Sequence, residues 1–239
     1  MKIIAKTIAA GLLVGTPLTF AHESPEIAGF SMSANVSMVT DYLYRGLSQT
    51  TGDAAIQGGF DLEHESGLYL GVWASNVDFA DSLEVDYYGG FAGSITEDVS
   101  YDVGVIYYDY PSDPSDPEGD FLEVYGSVGF AGFTVGANYS DDFFGETGSA
   151  LYYYGSYDME LPSDFSLGLL VAQQDLKDDT YGDEDSYIHY GVTLGKAALG
   201  FDFALTWSDT DISKDECAAG GYGNNDCDST VVFSISKAL

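Results

Sequence analysis

The feature that most constrains this chain is a regular alternation of tight and long gaps between amphipathic runs. From Ser31 to Leu239, about twelve segments alternate apolar with polar residues, the period of a strand with one face in an apolar phase and one in a polar phase. The even-numbered gaps are tight: Glu65-Ser66-Gly67, Thr96-Glu97-Asp98, Ala131-Gly132, Pro162-Ser163-Asp164 and Lys196-Ala197-Ala198. The odd-numbered gaps are long, polar and acidic. A β-sandwich has no reason to collect its long loops at one end. An outer-membrane barrel does, with short turns on the periplasmic side and long loops outside. The expected fold class is therefore all-β, an antiparallel up-and-down transmembrane β-barrel of about 12 strands over residues 31–239. Backbone groups facing lipid must all be paired, so the sheet has to close. A water-soluble lipocalin-type barrel is the structural rival, but it would turn the apolar face inward and leave the loop asymmetry unexplained.

The N-terminus agrees with export. Lys2 and Lys6 flank the start of a short apolar stretch, Ile3 to Val14, followed by Thr19-Phe20-Ala21. This is the anatomy of a cleaved signal peptide over residues 1–21, and it is too short to span a bilayer as a helix, which needs roughly 20 apolar residues. Residues 22–30 then form a short periplasmic segment before the barrel.

Register assigns the two faces. In the first strand, read as Ser31 to Tyr44, Met32, Ala34, Val36 and Met38 share one side. In the fourth, Leu83, Val85, Tyr87 and Phe91 oppose Glu84, Asp86 and Tyr88. A one-residue slip would turn both acids to lipid, so the register is well determined. The third strand is ambiguous, because Leu68 and Leu70 alternate with Tyr69 and Trp73. By the same parity Asp41 and Arg45 point inward near the outer mouth, at the height of Glu84, Asp86 and Glu123. Arg45 is then expected to pair with this acidic rim and shape the entrance, or simply to close a structural salt bridge or a tight turn before Gly46. Asp61, Glu63, Asp102, Asp158, Glu160 and Asp202 point inward toward the periplasmic end, where acidic rings favour cations or merely hydrate the lumen. Inward tyrosines such as Tyr88, Tyr108, Tyr125, Tyr152, Tyr154 and Tyr187 fill a small barrel, narrow it, or stack on a ring-shaped solute.

The formal charge is −32, which repels nucleic acid, since phosphate binding needs clustered Lys and Arg, and attracts cations. Solubility of the loops explains the same charge. Mean hydropathy is −0.02, as expected of a wall greasy outside and polar inside. Cys217 and Cys227 lie in the last long loop, in oxidising territory, and a disulfide is expected. No cofactor is implied. Asp113, Asp116, Glu118 and Asp120 crowd one loop, and Asp178, Asp179, Asp183, Glu184 and Asp185 another. Hard oxygen ligands suit loose Ca²⁺ binding that bridges to lipopolysaccharide phosphates, but neither loop has EF-hand spacing. With only His22, His64 and His189 as bases, no nucleophile–base–orienter set can be placed, and catalysis is not expected.

At Thr40-Asp41-Tyr42-Leu43-Tyr44-Arg45-Gly46-Leu47-Ser48-Gln49-Thr50 the sequence resembles the TorF-type porin family, also called the Gcw_chp family. The likeness continues through Gln57-Gly58-Gly59-Phe60-Asp61, Glu84-Val85-Asp86 and Tyr107-Tyr108-Asp109-Tyr110-Pro111. It is strongest from Ser66 to Phe79, around Trp73. It implies a location and an architecture more than a known substrate: an outer-membrane channel passing small solutes or cations, embedded in lipid and lipopolysaccharide and delivered by the barrel-assembly machinery. One departure is the last residue. Such barrels commonly end on an aromatic, and this chain ends on Leu239, so recognition falls to Phe233 and Leu239 together or is weaker. The alternative is a closed outer-membrane barrel that acts through its acidic surface loops.

Overall fold

The structure, a computed structural model, describes residues 28–79, 83–111, 113–177, 185–223 and 225–239. The signal-peptide reading of residues 1–21 lies outside them. Fourteen strands follow in chain order: β1 (Phe30–Val39), β2 (Leu43–Tyr44), β3 (Leu47–Ser48), β4 (Ala55–His64), β5 (Leu68–Asn76), β6 (Leu83–Ser94), β7 (Val99–Asp109), β8 (Phe121–Phe130), β9 (Phe133–Ser140), β10 (Ala150–Leu161), β11 (Phe165–Leu176), β12 (Ser186–Ala198), β13 (Phe201–Thr210) and β14 (Thr230–Ala238). A short helix, α1 (Lys214–Ala219), precedes the last of them. Twelve strands, β1 and β4 to β14, pair each with the next and β14 with β1, which closes an antiparallel barrel. β2 and β3 form a separate two-stranded hairpin.

The two faces follow the predicted parity. Met32, Ile56, Phe60, Leu68, Leu70, Tyr87, Val103 and Leu205 are exposed on the outer surface, while Gln57, Glu84, Asp86 and Glu123 are buried inside. The third wall strand is thereby resolved: Tyr69 and Trp73 face in. An exposed apolar band of this extent suits lipid and not water. Its two edges are aromatic. Tyr87, Tyr107, Tyr139, Tyr153, Tyr190 and Trp207 lie toward the long-loop end, and Phe130, Phe133, Phe165 and Phe201 toward the tight-turn end. Lys196 and Lys237 also face out at the tight-turn end, 4.6 Å and 5.0 Å from the ring centres of Phe165 and Phe201. That placement lets a long cation lie along apolar surface with its charge at the interface.

Two boundaries differ from the sequence reading. The last tight turn is not Lys196-Ala197-Ala198, because β12 continues through Ala198 and the chain reverses at Leu199-Gly200, both at positive φ. More consequentially, the first strand does not run to Tyr44. It leaves the wall at Val39, and residues 40–54 turn into the barrel. The alternation continues past Val39 because the inturned segment is itself a small β-hairpin, and a period of two cannot say which sheet a strand has joined.

Candidate functional site

The inturned hairpin is built by local chemistry. Leu43 pairs with Ser48 and Tyr44 with Leu47. Arg45 and Gly46 between them adopt φ of 51° and 91°, and a two-residue hairpin turn with both central residues at positive φ matches the strand twist. Gly46 meets a second demand. A Cβ there would stand 2.7 Å from Thr210 Cγ2 and 2.9 Å from His189 Cδ2, so only glycine lets the tip reach the far wall. The base of the hairpin is tied by Asp41, whose Oδ1 accepts from Ser48 Oγ at 2.6 Å and Thr50 Oγ1 at 3.0 Å. Burial raises the Asp41 carboxyl above its ordinary range, against those two hydrogen bonds.

Arg45 carries the tip across the lumen. Its Nη2 donates to both carboxylate oxygens of Glu123 on β8, at 2.6 Å and 2.7 Å, and its Nη1 donates to Gln174 Oε1 on β11 at 2.7 Å. The guanidinium lies 4.7 Å from the Tyr44 ring centre and 4.5 Å from that of Tyr152 on β10. Tyr187 on β12 donates its hydroxyl to the Arg45 carbonyl at 3.2 Å. On the other side Tyr42 donates to Glu84 Oε1 at 2.6 Å, and Tyr110 donates to Glu84 Oε2 at 2.7 Å. Asp86, one inward position below Glu84, is 2% exposed and its Oδ1 has no hydrogen-bond partner.

The outer lid is the loop between β13 and β14. The Cys217–Cys227 disulfide is formed, and both sulfurs belong to one apolar cluster with Leu47, Ala150, Leu176 and Tyr187. Ser48 N donates to Asp226 O at 2.8 Å, and Thr210 Oγ1 to Cys227 O at 3.0 Å. The stapled loop therefore rests on the hairpin and holds it from outside.

With the hairpin in place, every one of the twelve wall strands contributes a buried inward residue to the long-loop half, among them Ser37, Gln57, Ser75, Glu123, Asn138 and Ser208. This half of the lumen is filled. The expected rim is accordingly corrected: Arg45 does pair with Glu123, but inside the barrel on an inturned hairpin, and Asp41 is likewise off the wall. Tyr108, Tyr152 and Tyr187 pack around that hairpin.

The tight-turn half is more open. Asp61 and Asp202 are half-buried there, Asp158 and Glu160 are exposed to solvent, and Asp102 is buried against Tyr69. Tyr88, Tyr125 and Tyr154 are half-buried along the same wall. Two acids of the first acidic loop are engaged locally: Asp113 accepts from the backbone of Ser115 and Gly119, and Asp120 from Tyr110 N and Tyr107 Oη. Among the described residues no group of three or more His, Cys, Asp or Glu is arranged to hold a metal ion. Asp178, Asp179, Asp183 and Glu184 lie outside them.

One constellation was invisible to sequence reasoning. His189 Nε2 lies 3.1 Å from Ser208 Oγ, and His189 Nδ1 lies 3.0 Å from Tyr152 Oη. The three residues come from three strands, so no spacing signals them. His189 is 0% exposed and sits under Gly46, so a substrate has no route to the serine while the hairpin is docked.

Solved structures share this architecture. The barrel aligns with the KdgM porin at a TM-score of 0.56 and 8% identity, covering 87% of this chain and 98% of that one. It aligns with the NanC porin at 0.53 and 9%, covering 87% and 98%. Identities this low establish the fold alone. A family model described as "Bacterial protein of unknown function (Gcw_chp)" matches residues 23–239. No curated protein matches the sequence.

Proposed function

The chain belongs to the Gcw_chp family, and from that membership and the barrel geometry we propose that it is an outer-membrane channel for small solutes, cation-favouring and gated by its own first loop. The carrying observation is the division of the wall. Outward residues form an apolar band with aromatic edges, and inward residues of the tight-turn half include Asp61, Asp102 and Asp202. Among the described residues the basic side chains nearest that half, Lys196 and Lys237, face outward, so the lumen there is acidic. Rings of carboxylates concentrate cations. The short turns then lie in the periplasm and the stapled loop outside, and the export signal and porin-type assignment implied by the sequence belong to the same reading. Lipid, lipopolysaccharide and the barrel-assembly machinery are the partners this location entails.

The filled outer half separates this reading from a permanently open pore: conduction requires the hairpin to leave its seat. The same observation favours a second reading, a closed barrel acting through its loops. Planar-bilayer conductance of the refolded protein under a KCl gradient separates them, measured on the wild type and on a variant with residues 43–48 replaced by a short Gly-Ser link. Intermittent cation-selective steps in the wild type, made larger and longer-lived in the variant, support the gated channel. A silent wild type beside a conducting variant means a closed barrel. Steps without cation selectivity reduce the acids to hydration.

A further inference from the structure

Four inward tyrosines share an unusual placement. Tyr69 on β5 rests over Gly90 of β6, Tyr88 on β6 over Gly71 of β5, Tyr125 on β8 over Gly104 of β7, and Tyr154 on β10 over Gly136 of β9. In each case a Cβ on the inward side of the glycine would collide with the ring or its hydroxyl. A ring occupying the place of its neighbour's missing side chain lies along the wall and does not project across the lumen. The glycines are thus the seats that let the tyrosines lie flat, the packing known as aromatic cover of strand glycines.

Hydrogen bonds tie down three of these rings. Tyr69 Oη donates to Asp102 Oδ1 at 2.6 Å and touches the Tyr125 hydroxyl, and Tyr88 Oη donates to Asp61 Oδ1. Tyr69 is covered, whereas Tyr88, Tyr125 and Tyr154 are half-buried on inward positions of the wall. Donation to a carboxylate leaves the ring richer in electrons, which strengthens its attraction for a cation over its face. Flat aromatic surface backed by carboxylates, with no inward basic residue at this level among the described residues, is the chemistry that holds an organic cation.

We propose that the tight-turn half of the lumen is a binding wall for small organic cations, ammonium compounds with an apolar shell, which pack against Tyr88, Tyr125 and Tyr154 beside Asp61 and Asp102. This names the solute class of the proposed channel and rests on that reading only for transport.

Choline and its uncharged isostere 3,3-dimethylbutan-1-ol differ in charge and hardly in shape, and glucose tests simple ring stacking. Each is titrated into the full-length refolded protein in detergent at constant ionic strength, followed by calorimetry and tyrosine fluorescence. The proposal expects saturable choline binding at least tenfold tighter than the isostere and than glucose. It also expects a loss of at least tenfold in Tyr125→Leu and of severalfold in Asp102→Asn, with folding checked by heat-modifiable gel mobility. If either variant fails to fold, the wild-type comparison of choline with its isostere still decides. Equal binding of the isostere, tighter binding of glucose, or no binding of choline overturns the proposal. Conductance without choline binding removes this site and leaves the channel, whereas choline binding without conductance removes the channel and leaves the site.

Discussion

Replacing Arg45 with Ala should unseat the hairpin while leaving the barrel intact. The Arg45 and Glu123 side chains are each 1% exposed, and the guanidinium donates twice to Glu123 and once to Gln174. Truncating one partner of a buried pair leaves the other charge without compensation, at a cost of about 3–5 kcal/mol. The twelve-stranded ladder makes no use of Arg45, so the cost falls on the docked state of residues 40–54. At about 1.4 kcal/mol per factor of ten, the undocked population rises by roughly two to more than three orders of magnitude. Undocking rehydrates Glu123, which is the physical reason it relieves the penalty. Single-channel recording reads this as a large rise in open probability, and limited proteolysis reads it as new cleavage between residues 43 and 48. The Arg45→Ala/Glu123→Gln double variant removes the stranded charge and should recover much of the closed behaviour, while Arg45→Lys, which loses the planar two-pronged contact, should fall between. An Arg45→Ala channel indistinguishable from wild type would refute the latch. A double variant as open as the single would refute the charge argument and leave only lost packing.

Four further outcomes are expected. Reducing the Cys217–Cys227 bridge, which spans ten residues of sequence, should loosen the outer lid by roughly 2–3 kcal/mol on the loop-entropy model; faster proteolysis of the hairpin with unchanged barrel mobility on gels checks this. Gly46→Ala should open the gate through its clash with Thr210 and His189, whereas Gly52→Ala, at φ 81° with open space around it, should cost only about 1–2 kcal/mol of backbone strain and barely alter conductance. Asp41 has its carboxyl raised by burial, so its contribution to docking is fully present below the unfolded value and is lost as pH rises through the raised one. Hairpin protection should therefore weaken from acid toward neutral pH, and Asp41→Asn should flatten that part of the profile. Val105→Lys, on the outer face midway along β7, should cost about 2–4 kcal/mol of folding stability in lipid vesicles, measured by denaturant titration.

The sequence by itself determined the closed barrel, the lipid-facing side of most strands and the partner of each cysteine. Alternation at period two is a local property, and a charge such as Glu84 or Asp86 cannot be turned to lipid without a cost larger than any packing gain. The expected approach of Arg45 to Glu123 rested on carrying the first wall strand past Val39, which the fold does not do; the two meet because the hairpin turns inward. Tertiary structure decided the rest. Whether Thr40–Tyr44 continues the wall or enters the lumen depends on contacts of Arg45 and Gly46 with Gln174, Tyr152, His189 and Thr210, which lie more than a hundred residues away in the chain and leave no mark in its spacing. The Arg45-Gly46 pair between Tyr44 and Leu47 is the one local hint, a turn signal that an unbroken alternation conceals. The tyrosines show the same limit. Their inward direction is legible from parity, but whether such a ring fills a lumen or paves it depends on the residue beside it across the ladder. For Tyr88, Tyr125 and Tyr154 that neighbour is a glycine, for Tyr108 and Tyr152 it is not, and only the register of the folded sheet brings each pair together.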